Sequence, residues 1–240
     1  MNITKMEEFM RENDLMIIER CIENKNEKLD VKEEPFEKLM FFYKSALKQL
    51  ELQMNIIKDE FKLIYNYDLI DHIDTRIKEP KSIVKKMEKK KYDKTYLNLI
   101  EKINDIAGIR IVCTLKDDIF FIRDLVKQIP DIHILKEKDY VTNPKESGYK
   151  SYHMLVSVPI FLSDSVVDTK VEIQIRTIAM DFWASLEHDI HYKADRAKLP
   201  AGIDEEMFAC AEKIAEIDRQ MQDMYRRIAD AEANGDAVKK

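Results

Sequence analysis

The sequence predicts an α+β protein in which a mixed β-sheet is surrounded by helices and extended by further helices at both ends. Two observations support this fold class. Apolar residues recur every three or four positions in long segments near both ends of the chain, as on one face of a helix. The middle of the chain holds shorter segments, 109–115, 153–162 and 170–177, which we predict to be strands.

The helical segments can be placed in chain order. We predict helices at 5–23 and at 35–66, and a third at 117–129 between two of the strands. A polar stretch at 136–147 follows. After the last strand, T-I-A-M-D-F-W-A-S-L-E-H-D-I-H-Y-K is predicted to be helical, and a final helix is predicted at 205–232. The stripe of the second helix consists of Leu39, Tyr43, Ala46, Leu50, Met54, Ile57, Phe61 and Ile64.

These elements predict one domain over residues 1–240. Its parts are N-terminal helices at 1–66, a central core at 67–200 and a C-terminal helix at 201–240. With 45% hydrophobic residues, the chain has enough apolar surface for a sizeable core.

The sequence indicates in which cellular compartment the protein is found. Cys21, Cys113 and Cys210 are odd in number and widely spaced, which fits a reducing cytoplasm better than a disulfide framework. The N-terminus carries charges where a signal peptide needs an apolar core, and no uncharged run approaches the roughly 20 residues of a membrane span. We therefore expect a cytoplasmic protein that does not insert into membranes.

One strand alternates with a period of two. In T-K-V-E-I-Q-I-R-T, residues 169–177, the apolar side chains point to one face and three polar ones to the other. The polar side chains are Glu172, Gln174 and Arg176. An ordinary surface strand would also show this pattern, so a functional interpretation requires matching chemistry from other segments.

A second strand can deliver a carboxylate to that face. In N-D-I-A-G-I-R-I-V-C-T-L, Asp105 lies at the strand entry, Arg110 projects from the strand, and Gly108 permits a turn or a close approach. Should this strand pair near Glu172, the two carboxylates would suit Mg²⁺, which prefers oxygen ligands and shares its shell with phosphates. The alternative is a structural ion pair between Asp105 and a nearby Arg or Lys.

Charge is unevenly distributed along the chain. Residues 76–94 contain nine basic and three acidic residues, whereas the whole chain has a net charge of -6. A solvated helix face is one explanation. A basic strip on an acidic protein also suits a small polyanion better than long nucleic acid, whose backbone the remaining surface would repel. We therefore expect nucleotide ligands and no long nucleic acid.

A third segment offers an aromatic ring. In K-E-S-G-Y-K-S-Y-H, residues 145–153, Gly148 allows a tight bend and places Tyr149 at the mouth of a strand, with His153 just inside it. An aromatic ring at such a position can stack on a nucleobase.

Four motifs together carry a resemblance to a known family. They are R-I-K-E-P-K-S-I-V-K-K, D-I-A-G-I-R, K-E-S-G-Y-K-S-Y-H and V-E-I-Q-I-R-T, in this order. Over about residues 35–225 the chain resembles the RelA/SpoT-type alarmone synthetases, specifically the small single-domain kind. The resemblance implies a nucleotidyltransferase-like fold and transfer of the β,γ-pyrophosphate of ATP to the 3′-hydroxyl of GDP or GTP. The products would be AMP and ppGpp or pppGpp.

The resemblance also assigns the donor side of the site. It implies that Asp105 binds Mg²⁺ and that Glu172 completes the metal site or accepts the proton of the 3′-hydroxyl. Arg76 and Arg110 would clamp the adenine of ATP. The phosphates of ATP would be held by Lys78, Ser82, Lys85 and Lys86.

On the acceptor side, the resemblance implies that guanine stacks on Tyr149. Gln174 and Arg176 would orient Glu172 and the phosphates, and the Asp181 carboxylate could accept both donors on the guanine edge. The remaining residues assigned to GDP or GTP are Lys138, Lys145, Ser147 and His153. Related chains often carry Arg at the positions of Lys138 and Lys150, and Lys lacks the planar, bidentate fork of Arg.

Two other functions stay open. The chain could be a nucleotide-binding regulator that has lost catalysis, or a pyrophosphokinase with another acceptor, such as an adenine nucleotide or the 3′ end of an RNA. Retention of both Asp105 and Glu172 opposes the first alternative, and the acidic surface opposes a large RNA. The dipeptide at 188–189 is assigned no role, since a metal hydrolase would need partner ligands.

The last helix predicts self-association. Five apolar residues follow a seam-like spacing, although such a helix can also pack on its own subunit. They are Ile214, Ile217, Met221, Met224 and Ile228. The resemblance favours a homo-oligomer and, among these, a tetramer.

Overall fold

The computed structural model describes residues 26–163, 165–193 and 200–237. Six helices are present in this part of the chain: α1 (Glu34–Tyr65), α2 (Pro80–Lys89), α3 (Tyr96–Lys102), α4 (Lys116–Gln128), α5 (Ile178–Lys193) and α6 (Ile203–Ala237). Five strands accompany them: β1 (Ile70–Ile77), β2 (Ala107–Cys113), β3 (His133–Asp139), β4 (Tyr152–Phe161) and β5 (Val166–Thr177). The helix predicted at 5–23 lies outside the described residues.

The strands form one mixed sheet in the order β1-β2-β5-β4-β3. β5 pairs in parallel with β2 and antiparallel with β4, while β1 and β3 are the antiparallel edge strands. The predicted mixed sheet and its three central strands are confirmed, with ends displaced by a few residues. The strand order places β5, the last of the described strands along the chain, at the centre of the sheet.

Helix α1 covers the apolar face of this sheet. It begins with Pro35 in its first turn and ends at Asn66, which adopts a left-handed conformation with φ of 50°. The buried positions of α1 include Leu39, Leu50 and Met54, and they belong to the same core as the inward-facing residues of β5. The prediction of a long amphipathic helix at 35–66 is confirmed. Packing against α1 leaves the opposite face of β5 for polar side chains.

The two edge strands, β1 and β3, were not predicted from the sequence. The predicted basic strip begins at Arg76, near the end of β1, and the predicted polar stretch begins at Lys136, within β3; neither strand shows a continuous apolar face. Only Ile70 of β1 is fully buried, and no residue of β3 is. The helix-face interpretation of 76–94 is confirmed for its second part, where Lys81, Lys85 and Lys89 are exposed on α2.

Strand register explains how distant segments reach one another. Arg76 of β1 pairs with Gly108 of β2, which in turn pairs with Glu172 of β5. A second row runs beside it and consists of Asp74, Arg110, Gln174, His153 and Lys138. Because directly paired residues lie on the same face of a sheet, both rows occupy the face opposite α1.

The two glycines of the motifs behave differently. Gly108 lies within β2, so of the two predicted alternatives, a turn or a close approach, the turn is not observed. A Cβ there would lie 3.8 Å from the backbone oxygen of Glu172 and 3.9 Å from that of Arg76. The missing side chain keeps the row open between Arg76 and Glu172. Gly148 adopts φ of 85°, which confirms the predicted tight bend.

Helix α6 packs against the bend at Gly148. A small cluster of buried residues joins α6 to the bend and to α5, and the indole of Trp183 donates to the carbonyl oxygen of Met207 at 3.2 Å. The cluster consists of Tyr149, Trp183, Ala184 and Ala211. Within the described residues, no helix combines the length and apolarity that a membrane span requires.

Gly148→Ala should destabilise the protein through two separate effects. A left-handed conformation costs an L-residue about 1–2 kcal/mol. The new Cβ would also lie 2.6 Å from the Cβ of Ala211 on α6, and such overpacking typically costs about 1–3 kcal/mol more. Gly202→Ala is the matched control, because φ there is 87° but no atom lies within 4 Å of the new Cβ. Urea denaturation should therefore show a larger loss of unfolding free energy for Gly148→Ala; equal losses would contradict the packing argument.

Candidate active site

A cavity of about 540 Å³ opens on the polar face of the sheet. Its walls come from β1, β2, β5 and the second half of α5. The sequence-predicted residues that line it are Arg76, Lys78, Asp105, Arg110, Tyr149, Glu172, Gln174 and Arg176. All four motifs, including K-E-S-G-Y, therefore contribute side chains to one concave site.

Asp105 lies just before β2 between two lysines. The Nζ atoms of Lys78 and Lys86 each donate to Oδ2 at 2.6 Å. Burial raises the pKa of this carboxyl, but the two lysines outweigh it and hold the pKa below its usual value. The second oxygen, Oδ1, is buried and accepts no hydrogen bond from the described residues. The ion pair considered as an alternative is therefore present, and Asp105 still has an oxygen to offer a ligand.

Glu172 lies on β5 beside two polar partners. The amide of Gln174 donates to Oε2 at 2.9 Å, and Nδ1 of His153 lies 3.5 Å from Oε1. Burial raises the pKa of Glu172, but His153 and then Gln174 outweigh burial, so the pKa falls below its usual value despite the nearby charge of Asp105. Glu172 is thus held ionised and able to accept a proton or a cation.

The donor set suits a hard cation. Asp105 and Glu172 are near enough for the charge of one to act on the pKa of the other. The described residues contain no cluster of three or more His, Cys, Asp and Glu side chains that could hold a metal alone. Two carboxylates, one with an unpaired buried oxygen, fit an ion such as Mg²⁺ that completes its shell with phosphate oxygens.

Arg176 is the most buried cation of the site, with 7% of its surface exposed. Its donors are distributed among partners from three parts of the chain. Nε donates to Ser151 Oγ at 3.3 Å, and NH1 donates to Asp181 Oδ1 at 3.0 Å. NH2 donates to the Tyr149 hydroxyl at 2.7 Å and to Gln174 Oε1 at 2.8 Å. Arg176 therefore orients Gln174, which in turn holds Glu172.

Asp181 bridges two arginines. Besides Arg176, NH1 of Arg110 donates to the same Oδ1 at 2.8 Å, while NH2 of Arg110 lies 3.6 Å from Asp74. Asp181 is not among the residues that line the cavity. The structure thus shows Asp181 organising the arginines, and its predicted contact with guanine stays a prediction.

Tyr149 is only 8% exposed. Its hydroxyl lies 2.8 Å from Nε2 of His153, and the Nζ of Lys145 lies over its ring at 4.2 Å from the centroid. Arg176 also approaches the ring, with Cζ at 5.2 Å. A base that stacks on the face covered by Lys145 must therefore displace that cation.

The remaining predicted residues surround the cavity without lining it. Ser82 and Lys85 lie on α2, with Lys85 exposed, and Ser147 precedes the bend. Lys138 on β3 lies with its Nζ 5.9 Å from the ring of Tyr140. The structure therefore brings the carboxylates and arginines together more closely than it does the predicted phosphate-binding residues.

Several lining residues were not predicted. Asp74 and Thr75 lie on β1, the strand that the prediction missed, where Asp74 shares a face with Arg76. The others lie on α5 and are Ala184, Ser185, Glu187, His188 and Asp189. Their signal was present in the sequence, because Ser185 and His188 follow Asp181 at the four-and-three spacing of one helix face.

Comparison with known proteins places this site in a family. The model of the region found in RelA/SpoT proteins matches residues 75–197. The GTP pyrophosphokinase YwaC of Bacillus subtilis is 40% identical over 189 residues, which cover 79% of this chain and 90% of the relative. GTP pyrophosphokinase YjbM of the same organism is 30% identical over 198 residues, covering 82% and 92%.

Solved structures agree with the sequence relatives. Small alarmone synthetase 1 from Bacillus subtilis, bound to its product pppGpp, has a TM-score of 0.74 at 29% identity, covering 82% of this chain and 99% of that chain. Small alarmone synthetase 2 from the same organism has a TM-score of 0.72 at 38% identity, covering 80% and 98%. The expected nucleotidyltransferase-like fold is confirmed, and the chain belongs to the RelA/SpoT family, among the small alarmone synthetases.

Proposed function

We propose that this protein is a GTP pyrophosphokinase that transfers the β,γ-pyrophosphate of ATP to the 3′-hydroxyl of GDP or GTP. The products are AMP and ppGpp or pppGpp. The observation that carries the proposal is an ionised Glu172 in a cavity that also presents Asp105 and four cationic side chains. The names of the relatives point the same way, and a solved small alarmone synthetase 1 is bound to AMPCPP, with a TM-score of 0.69 at 27% identity.

Glu172 is the proton acceptor in this mechanism. As the acceptor nucleotide attacks, its 3′-hydroxyl proton passes to Glu172, which Gln174 and His153 keep oriented. Asp105 and Glu172 would hold Mg²⁺, which when bound neutralises phosphate charge and makes a nearby hydroxyl more acidic. A carboxylate of lowered pKa is a weak base, so this activation of the hydroxyl matters.

The cations serve to position the phosphates and neutralise their charge. Pyrophosphoryl transfer develops charge on phosphate oxygens and needs an in-line approach rather than a protein nucleophile. Lys78 and Lys86 converge on Asp105, where the ATP phosphates would share the metal. Arg76 and Arg110 lie on adjacent rows of β1 and β2, which supports their proposed role around adenine.

The acceptor lies on the other side of Glu172 in this proposal. Tyr149 provides the surface on which guanine stacks after Lys145 moves away, and His153 is placed between Tyr149 and Glu172. Gln174 and Arg176 connect this side to the reacting carboxylate. Both substrates therefore meet at β5.

The direct test is a product assay. Purified protein is incubated with labelled ATP, Mg²⁺ and one of GDP, GTP, ATP or tRNA, and the products are separated. We expect label in ppGpp or pppGpp with AMP released, and loss of product on chelation of the metal. Label in a product of ATP or tRNA instead would replace the guanine acceptor with one of the alternatives, and no transfer at all would leave a nucleotide-binding protein.

Glu172→Gln should keep the fold and remove most turnover. The amide can neither accept the hydroxyl proton nor supply the charge of a metal ligand, and loss of general base catalysis typically costs about 10²–10⁴-fold in rate. Glu60→Gln is the control, since Glu60 is an exposed carboxylate on α1 far from the cavity. Circular dichroism checks the fold, and turnover near that of the wild type in a folded Glu172→Gln variant would refute the mechanism.

Asp181→Ala should raise the KM for GDP or GTP far more than the KM for ATP. Guanine carries two donors on one edge that a carboxylate can accept, and adenine presents an acceptor there. Inosine diphosphate, which lacks the amino group, should then be a poorer acceptor for the wild type than GDP. Equal increases in both KM values would mean that Asp181 acts only by bridging Arg110 and Arg176.

We further propose that the protein forms a homo-oligomer, with a tetramer favoured, through α6. Ile217, Met221, Met224 and Ile228 are between 42% and 57% exposed and follow the four-three-four spacing of a helix seam. Ile214, the fifth residue of the predicted seam, instead packs on its own subunit against the Trp183 cluster. The exposed row supports the interface between copies.

Light scattering should therefore show an oligomer of the 28.4-kDa chain at micromolar concentration. Met221→Glu places a charge in the apolar row and should lower the mass, because an unpaired charge opposes burial at an interface. Gln220→Glu adds the same charge one residue away, on an exposed polar position, and should leave the mass unchanged. A monomeric wild type would overturn the proposal.

A further inference from the structure

The hydroxyl of Thr177 lies at the junction between β5 and α5. Thr177 is the last residue of β5 and is fully buried. Its Oγ1 accepts a hydrogen bond from the backbone N–H of Met180 at 3.1 Å and donates one to Oδ2 of Asp218 at 2.9 Å. The single hydrogen of the hydroxyl is thus directed to α6, and a lone pair is left to cap the first turn of α5.

Two residues on opposite sides of this junction form a hydrogen bond with each other. Arg176 directly precedes Thr177, and Asp181 lies one turn into α5, yet NH1 of Arg176 and Oδ1 of Asp181 are 3.0 Å apart. No loop intervenes between β5 and α5. The direction in which α5 leaves the strand therefore decides whether the arginine reaches this carboxylate.

Asp218 is a buried acidic residue at the contact between α6 and the rest of the protein. It is 7% exposed and lies at a contact between α6 and the body that is mostly apolar, although Lys150 also lines this contact. Burial raises the pKa of its carboxyl, while Thr177, Lys116 and Lys150 act in the opposite direction. An apolar residue would avoid this desolvation, so the feature that distinguishes a carboxyl group here is its hydrogen bond with the Thr177 hydroxyl.

We propose that Asp218 is a positioning residue for the synthetase reaction: through the Thr177 hydroxyl it fixes the start of α5, and so holds Arg176 and Asp181 in the geometry that the acceptor nucleotide needs. The inference rests on the proposed function, because it takes GDP or GTP as the ligand. The acceptor side depends on Arg176 through Tyr149 and Gln174. On the donor side, Arg76 and Lys86 come from β1 and α2, and Arg110 alone of the proposed ATP-binding residues reaches the junction, through its hydrogen bond to Asp181.

Gln222 provides a matched control on the same helix. It is also 7% exposed, and its Oε1 accepts from the backbone N–H of Asp117 at 3.0 Å. Gln222→Ala therefore removes a buried hydrogen bond that attaches α6 to α4 without touching Thr177. A merely structural role for Asp218 predicts that Asp218→Ala and Gln222→Ala behave alike.

The test measures GDP binding by calorimetry without ATP, binding of a non-hydrolysable ATP analogue, and unfolding free energy in urea. Asp218→Ala should weaken GDP binding by up to about tenfold, because part of the binding free energy must then restore the geometry that the lost hydrogen bond had fixed. Its affinity for the ATP analogue should fall by clearly less than its affinity for GDP, because only Arg110 among the ATP-binding residues is held by Asp181. Gln222→Ala should lose stability without this selective loss of GDP affinity.

Conservative variants keep the test decisive if Asp218→Ala does not fold. Asp218→Asn retains an oxygen that can accept from Thr177, and Thr177→Ser retains the hydroxyl, so both should bind GDP like the wild type. Thr177→Val removes both hydrogen bonds at nearly constant volume and should weaken GDP binding as Asp218→Ala does. Combining Thr177→Val with Asp218→Ala should weaken binding no further than the stronger single change, since both remove the hydrogen bond between Thr177 and Asp218.

Two failures can be told apart. Should the wild type make (p)ppGpp while Asp218→Ala and Thr177→Val bind GDP as Gln222→Ala does, the positioning role is wrong and the proposed function stands. Should the wild type neither bind GDP nor form product, the proposed function is wrong and the inference falls with it.

Discussion

The buried guanidinium of Arg176 is the constraint on which the site depends. A cation with so little exposure is tolerated only where its donors are paired, and here the acceptors come from the segment at 149–151, from β5 itself and from α5. Each partner must therefore be in place for the arginine to be accommodated. Because Gln174 bonds to both Arg176 and Glu172, the requirement to satisfy one buried charge also fixes the reacting carboxylate.

The charges of the cavity are balanced within the protein. Asp105 is neutralised by two lysines, Asp181 by two arginines, and Glu172 by neutral and imidazole donors. Nucleotide phosphates and a divalent cation bring further charges of both signs, so binding exchanges internal partners for external ones. These three carboxylates are therefore not left unpaired in a partly buried space, where each would destabilise the folded protein.

The parts of the fold that were predictable from the sequence are those where one face is buried. The alternation of β5 and the stripe of α1 reflect packing on a shared core, and the residues of the polar rows follow from that alternation. β1 and β3 were missed because an edge strand with wet surfaces keeps no apolar period. The bridging role of Asp181 and the occlusion of Tyr149 by Lys145 depend on side-chain contacts across the fold, which local pattern does not encode. The sequence left a turn and a close approach open at Gly108, because a glycine can change the direction of the chain or leave space for a site, and here it lies in a strand beside the cavity.

The position of β5 in the sheet has a consequence for how the protein is made. β5 is the last strand to be synthesised, yet it lies between β2 and β4, with the β3–β4 hairpin inserted between its sequence and that of its parallel partner. Pairing of β2 with β5 closes a long stretch of chain, and non-local contacts of this kind form more slowly than local ones. A nascent chain that stops short of β5 contains Asp105 but not Glu172. Enzymatic activity is consequently gained only when the centre of the sheet closes, so a partly made chain does not yet act on the nucleotide pool of the cell.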